Sequence, residues 1–290
     1  MKWANVVEAL SDCGITVDPG SEPRSVGGGD ISEAWRLETT DGPLFLKVGN
    51  ANSFDMFDAE ASGLLELAKA NAIRVPNVLA VTDYTDGALL ALEWLDLGAP
   101  SIDTPRVLGQ QLAALHRCTR TRYGWFRDNT IGSTPQPNSR TDSWPAFYRE
   151  QRLEYQLKLA SENGFRGELQ TAGQKLLDNI DAFFVDHVPD ASLLHGDLWG
   201  GNWSAVKGQP VIFDPAVYYG DRETDLAMTR LFGGFSWEFY EAYEDSWPLN
   251  SGSERRVALY QLYHVLNHLN LFGGGYLGRA IALVNTLAAS

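Results

Sequence analysis

The hydrophobic and polar residues in the N-terminal third of the chain follow two different periods. Four short segments predict strands, because they combine apolar runs or alternation with turn residues at their ends. These predicted strands cover residues 32–38, 44–48, 75–81 and 88–95. Apolar residues at helical spacing predict one helix over residues 1–12 and another over 54–70, the latter capped by Asn52 or Ser53. The pattern therefore predicts a small antiparallel sheet with a helix packed on it, ending near residue 97.

After residue 97 the apolar residues recur mainly at helical spacing. Thr104 and Pro105 are typical of a helix start, since proline suits the first turn of a helix. Further helices are predicted over residues 144–160, 168–186, 221–243, 255–271 and 276–288. Residues 123–140 form a polar loop that is too long for a simple connector. The expected class is α+β and bilobal, with a nucleotide-binding lobe over 1–97 and a larger, mostly helical lobe over 98–290.

Two charged residues lie beside the apolar positions of the N-terminal elements. Alternation along residues 44–48 puts Lys47 on the face opposite Leu46, and Glu60 lies next to the apolar face of the helix at 54–70. A lysine that binds phosphate groups needs a carboxylate to hold it in place, and kinases pair a strand Lys with a helix Glu. The alternative is a solvated lysine and an unrelated surface acid.

Residues 193–214 carry the clearest chemical pattern. His195 and Asp197 are followed by Asn202, and a short apolar run ends at Asp214. The order H-x-D-x-x-x-x-N, then a strand that delivers a second Asp, is typical of kinase catalytic loops. Asp197 is the candidate base for the attacking hydroxyl, His195 would orient the loop, and Asn202 and Asp214 are candidate Mg²⁺ ligands. A turn rich in Gly, Asp and Asn between two strands is the alternative.

Three further features fit phosphoryl transfer. Three consecutive glycines precede the first long strand and would let backbone N–H groups approach phosphates: Gly27, Gly28 and Gly29. The carbonyl of Glu93 and the N–H of Leu95 lie where the two lobes would join and could bind adenine. Asp225 would start a helix and could hold the backbone of the His195–Asp197 loop. A flexible turn, a strand end and a first-turn acid are the respective alternatives.

The charge of the chain excludes some classes of partner. Lys and Arg number 23 against 37 Asp and Glu, a formal net charge of −14. Such a surface repels nucleic acid and anionic membranes, so we expect neither as a partner. No signal peptide, transmembrane run or P-loop motif is recognisable, and Cys13 and Cys118 lack motif spacing. The sequence predicts a cytoplasmic protein, which we expect to be a monomer.

Five longer blocks extend the pattern over nearly the whole chain. They are HGDLWGGNW at 195–203, FDPAVYYGDRETDLAMTRLFGGF at 213–235, GGGDISEAWRL at 27–37, YGWFRDNTIGSTPQPN at 123–138 and WPAFYREQRLEYQL at 144–157. In their order along the chain, these blocks closely resemble the fructosamine kinase (ketosamine-3-kinase) family. This family is related to the aminoglycoside and choline phosphotransferases. The resemblance implies a protein-kinase-like fold.

The resemblance also implies an activity, which is ATP- and Mg²⁺-dependent phosphorylation of the sugar 3-hydroxyl of a ketosamine. A ketosamine is a glycated amine, and its phosphorylated form then decomposes, which amounts to deglycation. The resemblance makes Asp197 the base, Asn202 and Asp214 the metal ligands, and Lys47 and Glu60 the ATP-anchoring pair.

Two positions depart from related sequences. Protein kinases have Asp-Phe-Gly where this chain has Asp214-Pro215-Ala216, so a switch based on a flipping Phe is not expected. Some family members carry a Cys in the Gly-rich loop, where this chain has Asp30, so a redox switch is not expected there.

The expected partner is a small-molecule or protein-bound glycated amine. Such an acceptor needs aromatic rings for stacking, and a carboxylate suits a cationic amine. Trp199 follows the candidate base by two residues, and the resemblance puts Trp125, Asp128 and Asn129 near the acceptor. A phosphotransferase for aminoglycosides or another small amine alcohol is the alternative enzyme. A non-catalytic nucleotide-binding protein is the alternative from another class.

Overall fold

The structure is a computed structural model that describes residues 2–27 and 33–289. These residues divide into two units. Unit 1 extends to Thr104 and also includes Ser204–Asp214, and unit 2 consists of Pro105–Trp203 and the chain that follows Asp214. The division after residue 97 stays a prediction about which residues bind nucleotide and which bind the acceptor.

The described residues form α-helices and strands, and the strands within each sheet pair antiparallel. The helices are α1 (Trp3–Asp12), α2 (Phe54–Ala70), α3 (Thr104–His116), α4 (Trp144–Tyr148), α5 (Tyr155–Glu162), α6 (Glu168–Asp178), α7 (Glu223–Leu231), α8 (Trp237–Ser246), α9 (Ser253–Phe272) and α10 (Leu277–Ala288). The strands are β1 (Arg24–Ser25), β2 (Glu33–Thr39), β3 (Gly42–Gly49), β4 (Val78–Tyr84), β5 (Gly87–Glu93), β6 (Thr119–Arg120), β7 (Asn129–Ile131), β8 (Thr134–Gln136), β9 (Ala191–Leu194), β10 (Trp203–Val206), β11 (Gln209–Ile212) and β12 (Tyr218–Gly220). A π-helical segment, Arg149–Glu154, joins α4 to α5. The α+β class expected from the sequence is confirmed.

A five-stranded antiparallel sheet is the main element of unit 1, with the strand order β1-β2-β3-β5-β4. Leu44, Leu46 and Val48 of β3 alternate toward one face of this sheet and are buried there. α1 packs on the same face through Val6 and Leu10. The alternation therefore leaves Lys47 on the opposite face, as the period of the strand predicts.

The start of α2 differs from the prediction. The helix spans Phe54–Ala70 as expected, but Ser53 at its N-cap makes no side-chain cap bond. A 3₁₀ turn, Ala51–Ser53, precedes the helix, and the side-chain oxygen of Asn50 accepts the N–H of Asn52 at 2.9 Å. The capping residue is therefore Asn50, because the extra turn moves the first unsatisfied N–H groups toward β3.

A hairpin places the end of the segment 193–214 in unit 1. β10 and β11 are joined by Lys207 and Gly208, whose φ angles of 51° and 77° are both positive, as a two-residue type I′ turn requires. The N–H of Ile212 donates to the carbonyl of Arg74 at 3.0 Å. β11 is thereby held beside the main part of unit 1, and Asp214 follows it directly.

Unit 2 is mostly helical, and α9 packs against α5, α7 and α10. A three-stranded antiparallel sheet with the order β12-β9-β6 lies in the same unit. The long loop at residues 123–140 contains the hairpin β7–β8, so it has secondary structure of its own. Among the described parts of the chain, no helix has both the length and the hydrophobicity needed to cross a membrane.

One predicted helix is wrong. Residues 221–243 form two helices, since α7 ends at Leu231 and α8 begins at Trp237. Gly233 and Gly234 between them have φ angles of 77° and 94°, far from helical values. Helical spacing of the apolar residues continues through this break, which is why the pattern alone predicts a single helix.

Candidate active site

Two carboxylates of unit 1 meet around one ammonium group. Lys47 Nζ on β3 lies 2.8 and 2.9 Å from the two carboxylate oxygens of Glu60 on α2. The same nitrogen lies 2.7 Å from Oδ1 of Asp214, which follows β11. The side chains of Lys47 and Glu60 are 12% and 13% exposed, whereas Asp214 is 43% exposed. Glu60 thus holds the lysine from the protein side, and Asp214 is the member of the group that reaches solvent. We call Lys47, Glu60 and Asp214 the lysine group.

The charges of this group depend on one another. Burial alone would lower the pKa of Lys47, but the carboxylates of Glu60 and Asp214 outweigh burial and raise that pKa above its ordinary value. Burial raises the pKa of Glu60, and the charge of Asp214 adds to this while Lys47 opposes it. Lys47 therefore keeps its positive charge over the whole physiological range, which a phosphate-binding role requires.

The backbone of Asp214 is unusual. Its φ angle is 55°, in the left-handed region that residues other than glycine rarely adopt. A residue in this region costs free energy, and such residues cluster at functional sites where the surrounding structure enforces them. The bond to Lys47 and the position directly after β11 are consistent with an enforced orientation of this carboxylate.

The loop after β9 holds the candidate base in unit 2. The Nδ1 atom of buried His195 accepts the N–H of Asp197 at 3.2 Å. Asn202 Nδ2 donates to the carbonyl of Asp197 at 2.9 Å and lies 3.3 Å from its Oδ2. Gly196 has a φ of 82°, and a Cβ there would collide with the carbonyl oxygen of Ala216. The order His-Gly-Asp therefore has a steric reason as well as a chemical one.

Asp225, in the first turn of α7, holds the backbone of this loop. Its Oδ2 accepts the N–H of His195 at 2.8 Å and its Oδ1 accepts the N–H of Gly196 at 2.9 Å. Nε2 of His116, the last residue of α3, contacts Asp225 Oδ2 at 3.2 Å. Burial alone would raise the pKa of Asp225, but His116 and the other donors hold it below its ordinary value. Asp225 is therefore an ionised anchor for the loop.

The five consecutive polar residues 221–225 are all buried. Each side chain has a hydrogen-bond partner within unit 2. The partners are the Tyr260 hydroxyl for Asp221 at 2.6 Å, the Trp247 carbonyl for Arg222 at 2.7 Å, Arg256 for Glu223 at 2.7 and 2.8 Å, the Asp221 carbonyl for Thr224 at 2.8 Å, and the 195–196 backbone for Asp225. This run, which we call the anchor segment, ties the catalytic loop to α3, α8 and α9.

Two residues of the anchor segment form a group with His187 that has the ligand types of a metal site. His187, Asp221 and Glu223 are buried, and their ligand atoms lie within 4.8 Å of one another. His187 Nε2 is 2.6 Å from Asp221 Oδ2, and Arg256 bonds both oxygens of Glu223. Because Arg256 and the hydroxyl of Tyr260 already satisfy these carboxylates, the group is a protein-internal charge cluster.

The candidate Mg²⁺ ligands have suitable chemistry. Asp214 supplies a carboxylate and Asn202 an amide oxygen, and Mg²⁺ prefers oxygen ligands from one or two protein side chains with substrate phosphates completing the shell. The amide nitrogen of Asn202 faces Asp197, which assigns the nitrogen and oxygen of this amide. By ligand type, each of these two side chains suits a magnesium ion.

Two of the four expected acceptor residues are accessible. Trp199 is 39% exposed, and its ring contacts that of Phe232 edge-on at 6.4 Å between centroids. Asp128 is exposed, with its Oδ1 accepting the N–H of Asn138 at 2.7 Å. These two side chains can offer an aromatic face and a carboxylate to a ligand.

The other two are buried, and their assignment to the acceptor is revised. Trp125 is 4% exposed and Asn129 is 8% exposed. The Asn129 amide donates to the carbonyl of Val217 at 2.8 Å, and its oxygen accepts bonds from Gln136 and Asn138. A side chain bonded in this way inside the protein presents no surface to a substrate.

The nucleotide candidates outside the lysine group lie at the ends of strands. Gly27 is exposed and lies between β1 and β2, where the N–H of Val26 donates to the carbonyl of Ala34 at 2.9 Å. Gly28, Gly29 and Asp30 lie outside the described residues. Glu93 ends β5, and its side chain accepts bonds from Arg74 at 2.6 Å and from the Asn77 N–H at 3.2 Å. Only the backbone of Glu93 and of Leu95, two residues later, is therefore a candidate for binding adenine.

The fold is that of the protein-kinase-like class. A solved aminoglycoside phosphotransferase bound to ADP has this fold, with a TM-score of 0.62 and 15% identity over 98% of this chain and 97% of that chain. The family model described as fructosamine kinase matches residues 2–290, and the chain belongs to that family.

The relatives agree with the family model. A probable ketoamine kinase of Synechocystis sp. is 43% identical over 276 residues, which are 94% of this chain and 92% of that protein. A chloroplastic protein-ribulosamine 3-kinase of Arabidopsis thaliana is 41% identical over 265 residues, covering 90% of this chain and 81% of that protein. The crystal structure of a candidate fructosamine-3-kinase from Haemophilus somnus has a TM-score of 0.89 and 28% identity, covering 98% and 97% of the two chains.

Proposed function

We propose that this chain transfers the terminal phosphate of ATP to the sugar 3-hydroxyl of a ketosamine and so starts its deglycation. The observation that carries the proposal is the match to the fructosamine kinase family over residues 2–290. The ketoamine and ribulosamine kinases among its relatives support this substrate class. The lysine group of unit 1 supports the use of a nucleoside triphosphate.

Lys47 is proposed to bind the phosphates of ATP. Both oxygens of Glu60 hold its ammonium group, and its third N–H donor is directed to Asp214, so a phosphate oxygen would take over the bond to Asp214. The overall charge of −14 opposes a nucleotide, and a fixed local cation offsets this repulsion. The backbone groups of Gly27, Glu93 and Leu95 are proposed to contact the nucleotide, together with Gly28 and Gly29.

Asp197 is proposed to take the proton of the acceptor hydroxyl. The hydroxyl oxygen then forms a bond to the γ-phosphorus, the bond between this phosphorus and the bridging oxygen breaks, and ADP leaves with that oxygen. Asn202 donates to Asp197 and His195 accepts its N–H, so the carboxylate is oriented before substrate binds. A positioned base of this kind contributes roughly 10²–10⁴-fold to a rate.

Asp214 and Asn202 are proposed to hold Mg²⁺. When bound, the ion would neutralise charge that develops on the phosphate oxygens. Asp214 also accepts a bond from Lys47, so its charge is shared between a fixed cation and an exchangeable one. This sharing gives a reason for the enforced backbone of Asp214.

Trp199 and Asp128 are proposed to contact the acceptor. The exposed indole of Trp199 offers a stacking face to a sugar, and the accessible carboxylate of Asp128 suits the ammonium of a glycated amine. The fold alone is shared with aminoglycoside phosphotransferases, so the alternative acceptor class has no separate support in this chain. We also expect the enzyme to act as a cytoplasmic monomer.

A substrate panel tests the proposal. Purified enzyme with ATP and Mg²⁺ is given ribulosamine and fructosamine conjugates, kanamycin and choline, and ADP release is followed for each. We expect turnover only with the ketosamines and a product phosphorylated at the sugar 3-oxygen. The variant Asp197→Ala, prepared identically, excludes contaminating kinases. Turnover restricted to kanamycin or choline, or no ADP release with any acceptor, would overturn the proposal.

A further inference from the structure

Strand β12 lies between the strand that carries the catalytic loop and the long loop at residues 123–140. On one side Tyr218 pairs with Leu194 of β9, which leads directly into His195. On the other side Tyr219 exchanges two backbone bonds with Gly124, at 2.9 and 3.0 Å. The loop therefore covers the outer edge of the three-stranded sheet.

Where the main chain of the loop turns away from β12, side-chain amides of the loop bond the backbone of the residues that precede β12. The Asn129 amide donates to the carbonyl of Val217 at 2.8 Å, and the Gln136 amide donates to the carbonyl of Ala216 at 3.1 Å. All hydrogen-bonding groups at a buried edge need partners, and these amides supply donors that a neighbouring strand would otherwise supply. We call Asn129, Gln136 and Asn138 the amide clamp.

The peptide of Ala216 touches the residues on which Asp197 depends. Its N–H donates to the carbonyl of His195 at 2.8 Å. Its carbonyl oxygen accepts the bond from Gln136 and packs against Gly196, where a Cβ would collide with it. A shift of Ala216 would therefore be transmitted to both residues that precede Asp197.

The orientation of every amide in the clamp is determined. Arg152 can only donate, and its Nη2 lies 2.7 Å from Asn138 Oδ1, so the Asn138 nitrogen must face Asn129 Oδ1 at 2.8 Å. The Asn129 nitrogen then faces Val217. The carbonyl of Ala216 can only accept, so the Gln136 nitrogen faces it at 3.1 Å, and Gln136 Oε1 accepts the hydroxyl of Tyr263 at 2.6 Å.

Arg152 is a rigid support for the clamp. It is fully buried, it donates to the Pro137 carbonyl at 2.6 Å, and its guanidinium lies 4.1 Å from the ring centre of Tyr218 and 4.6 Å from that of Phe147. Carbonyl oxygens and aromatic faces stabilise the buried charge. Arg152 lies in the π-helical segment between α4 and α5, a distortion that is frequent at functional sites.

We propose that Gln136, supported by Asn129 and Asn138, is a positioning residue of the phosphotransfer reaction. Gln136 holds the Ala216 peptide, which holds His195 and Gly196, so that the carboxylate of Asp197 stays in place for proton transfer. This inference rests on the proposed function, because it assumes that Asp197 is the base. A displacement of about 1 Å at a reacting group can cost on the order of 100-fold in rate.

Matched pairs of variants test the inference. Gln136→Met keeps the volume of the side chain but removes its donor and acceptor, and Gln136→Glu keeps the shape and the oxygen for Tyr263 but removes the donor to Ala216. Gln156 is the control, since it is also fully buried and bonds Asn267 at 3.2 Å and Asn270 at 2.7 Å, and it shares the partner Tyr263 with Gln136 but does not bond the Ala216 peptide. The same two substitutions are made at Gln156.

We expect kcat to fall about 10- to 100-fold in both Gln136 variants, with the KM for ATP unchanged. Both Gln156 variants should keep kcat within about twofold of the parent enzyme, although all four variants lose thermal stability. The same kcat in the Gln136 and Gln156 variants would overturn the inference. So would a parent-like kcat in Gln136→Glu, because side-chain shape alone would then suffice.

Amide hydrogen exchange supplies a readout that needs no turnover. Peptides covering residues 193–197 and 216–219 should exchange faster in Gln136→Met than in Gln156→Met, and equal protection in the two variants would overturn the inference. If Gln136→Met does not fold, Tyr263→Phe removes only the hydroxyl that orients Gln136 and is measured in the same way. If the parent enzyme does not phosphorylate ketosamines, the proposed function fails, while the exchange experiment still decides the clamp.

Discussion

Replacing Glu60 with glutamine tests how much the negative charge of Glu60 contributes to the positioning of Lys47. Glutamine has the shape of glutamate, but it removes the negative charge whose two oxygens lie 2.8 and 2.9 Å from Lys47 Nζ. Opposite charges at this distance attract by about 6 kcal/mol at an effective dielectric constant of about 20, but desolvation of the buried pair cancels much of that. The lysine also keeps Asp214 as a partner at 2.7 Å, so its charge is not left uncompensated.

The hydrogen bonds set the expected magnitude. A hydrogen bond to a charged group contributes about 1.5–3 kcal/mol, and a neutral one about half as much. The substitution should therefore cost about 1.5–2 kcal/mol in the positioning of Lys47. Because about 1.4 kcal/mol corresponds to a factor of ten, we expect kcat/KM for ATP to fall about 10- to 30-fold.

The assay is ADP release at fixed, saturating ketosamine with ATP varied. The matched control is Glu66→Gln in the same helix, where Glu66 pairs with the exposed Lys69 at 3.1 Å. Glu66 is about as enclosed as Glu60, at 14% exposed, but its partner Lys69 is exposed and is not the lysine of the site, so the control should keep kcat/KM close to the parent value. A parent-like kcat/KM in Glu60→Gln, or an equal loss in the Glu66 control, would refute the idea that Glu60 orients a phosphate-binding lysine.

Three further substitutions test other parts of the site. Asp197→Ala should lower kcat roughly 10²–10⁴-fold while calorimetry still detects ATP binding, and normal turnover would reject Asp197 as the base. Asp214→Ala should abolish the Mg²⁺ dependence of nucleotide binding, so unchanged dependence would contradict its role as a metal ligand. Asp225→Asn tests the sign of one pKa shift. Because the pKa of Asp225 is lowered in the folded protein, its contribution to stability is present above about pH 4 and is lost as the pH falls through the lower value. The parent protein should therefore lose Tm more steeply than the Asn variant as the pH falls below about 4, and parallel curves would count against an ionised anchor.

The parts of the fold that depend on local signals could be predicted from the sequence. Alternation in β3 and the apolar face of α2 were enough to put Lys47 and Glu60 on facing surfaces, and the apolar run of β11 identified Asp214. The break between α7 and α8 does not follow from the apolar spacing, which continues across it, although two consecutive glycines, Gly233 and Gly234, are a local signal for a break.

The buried polar contacts could not be predicted, because their partners are distant in the chain. Gln136 and Ala216 are 80 positions apart, and nothing in the sequence near either residue indicates the other. Asn129 shows the consequence, since an amide in a polar loop resembles a ligand-binding group until its burial and its partners are known. His116 was missed for the same reason, as one histidine at the end of an amphipathic helix has no local feature that links it to Asp225.

The anchor segment limits how this enzyme can be improved by directed evolution. Its residues 221–225 look hydrophilic in the sequence, yet each is buried, and four of the five bond to residues outside the segment. A library that treats polar positions as tolerant would include many substitutions at these residues. A single substitution there leaves a distant group without its hydrogen-bond partner. Useful changes there would have to come in pairs, with Glu223 and Arg256 replaced together by side chains that fill the same volume.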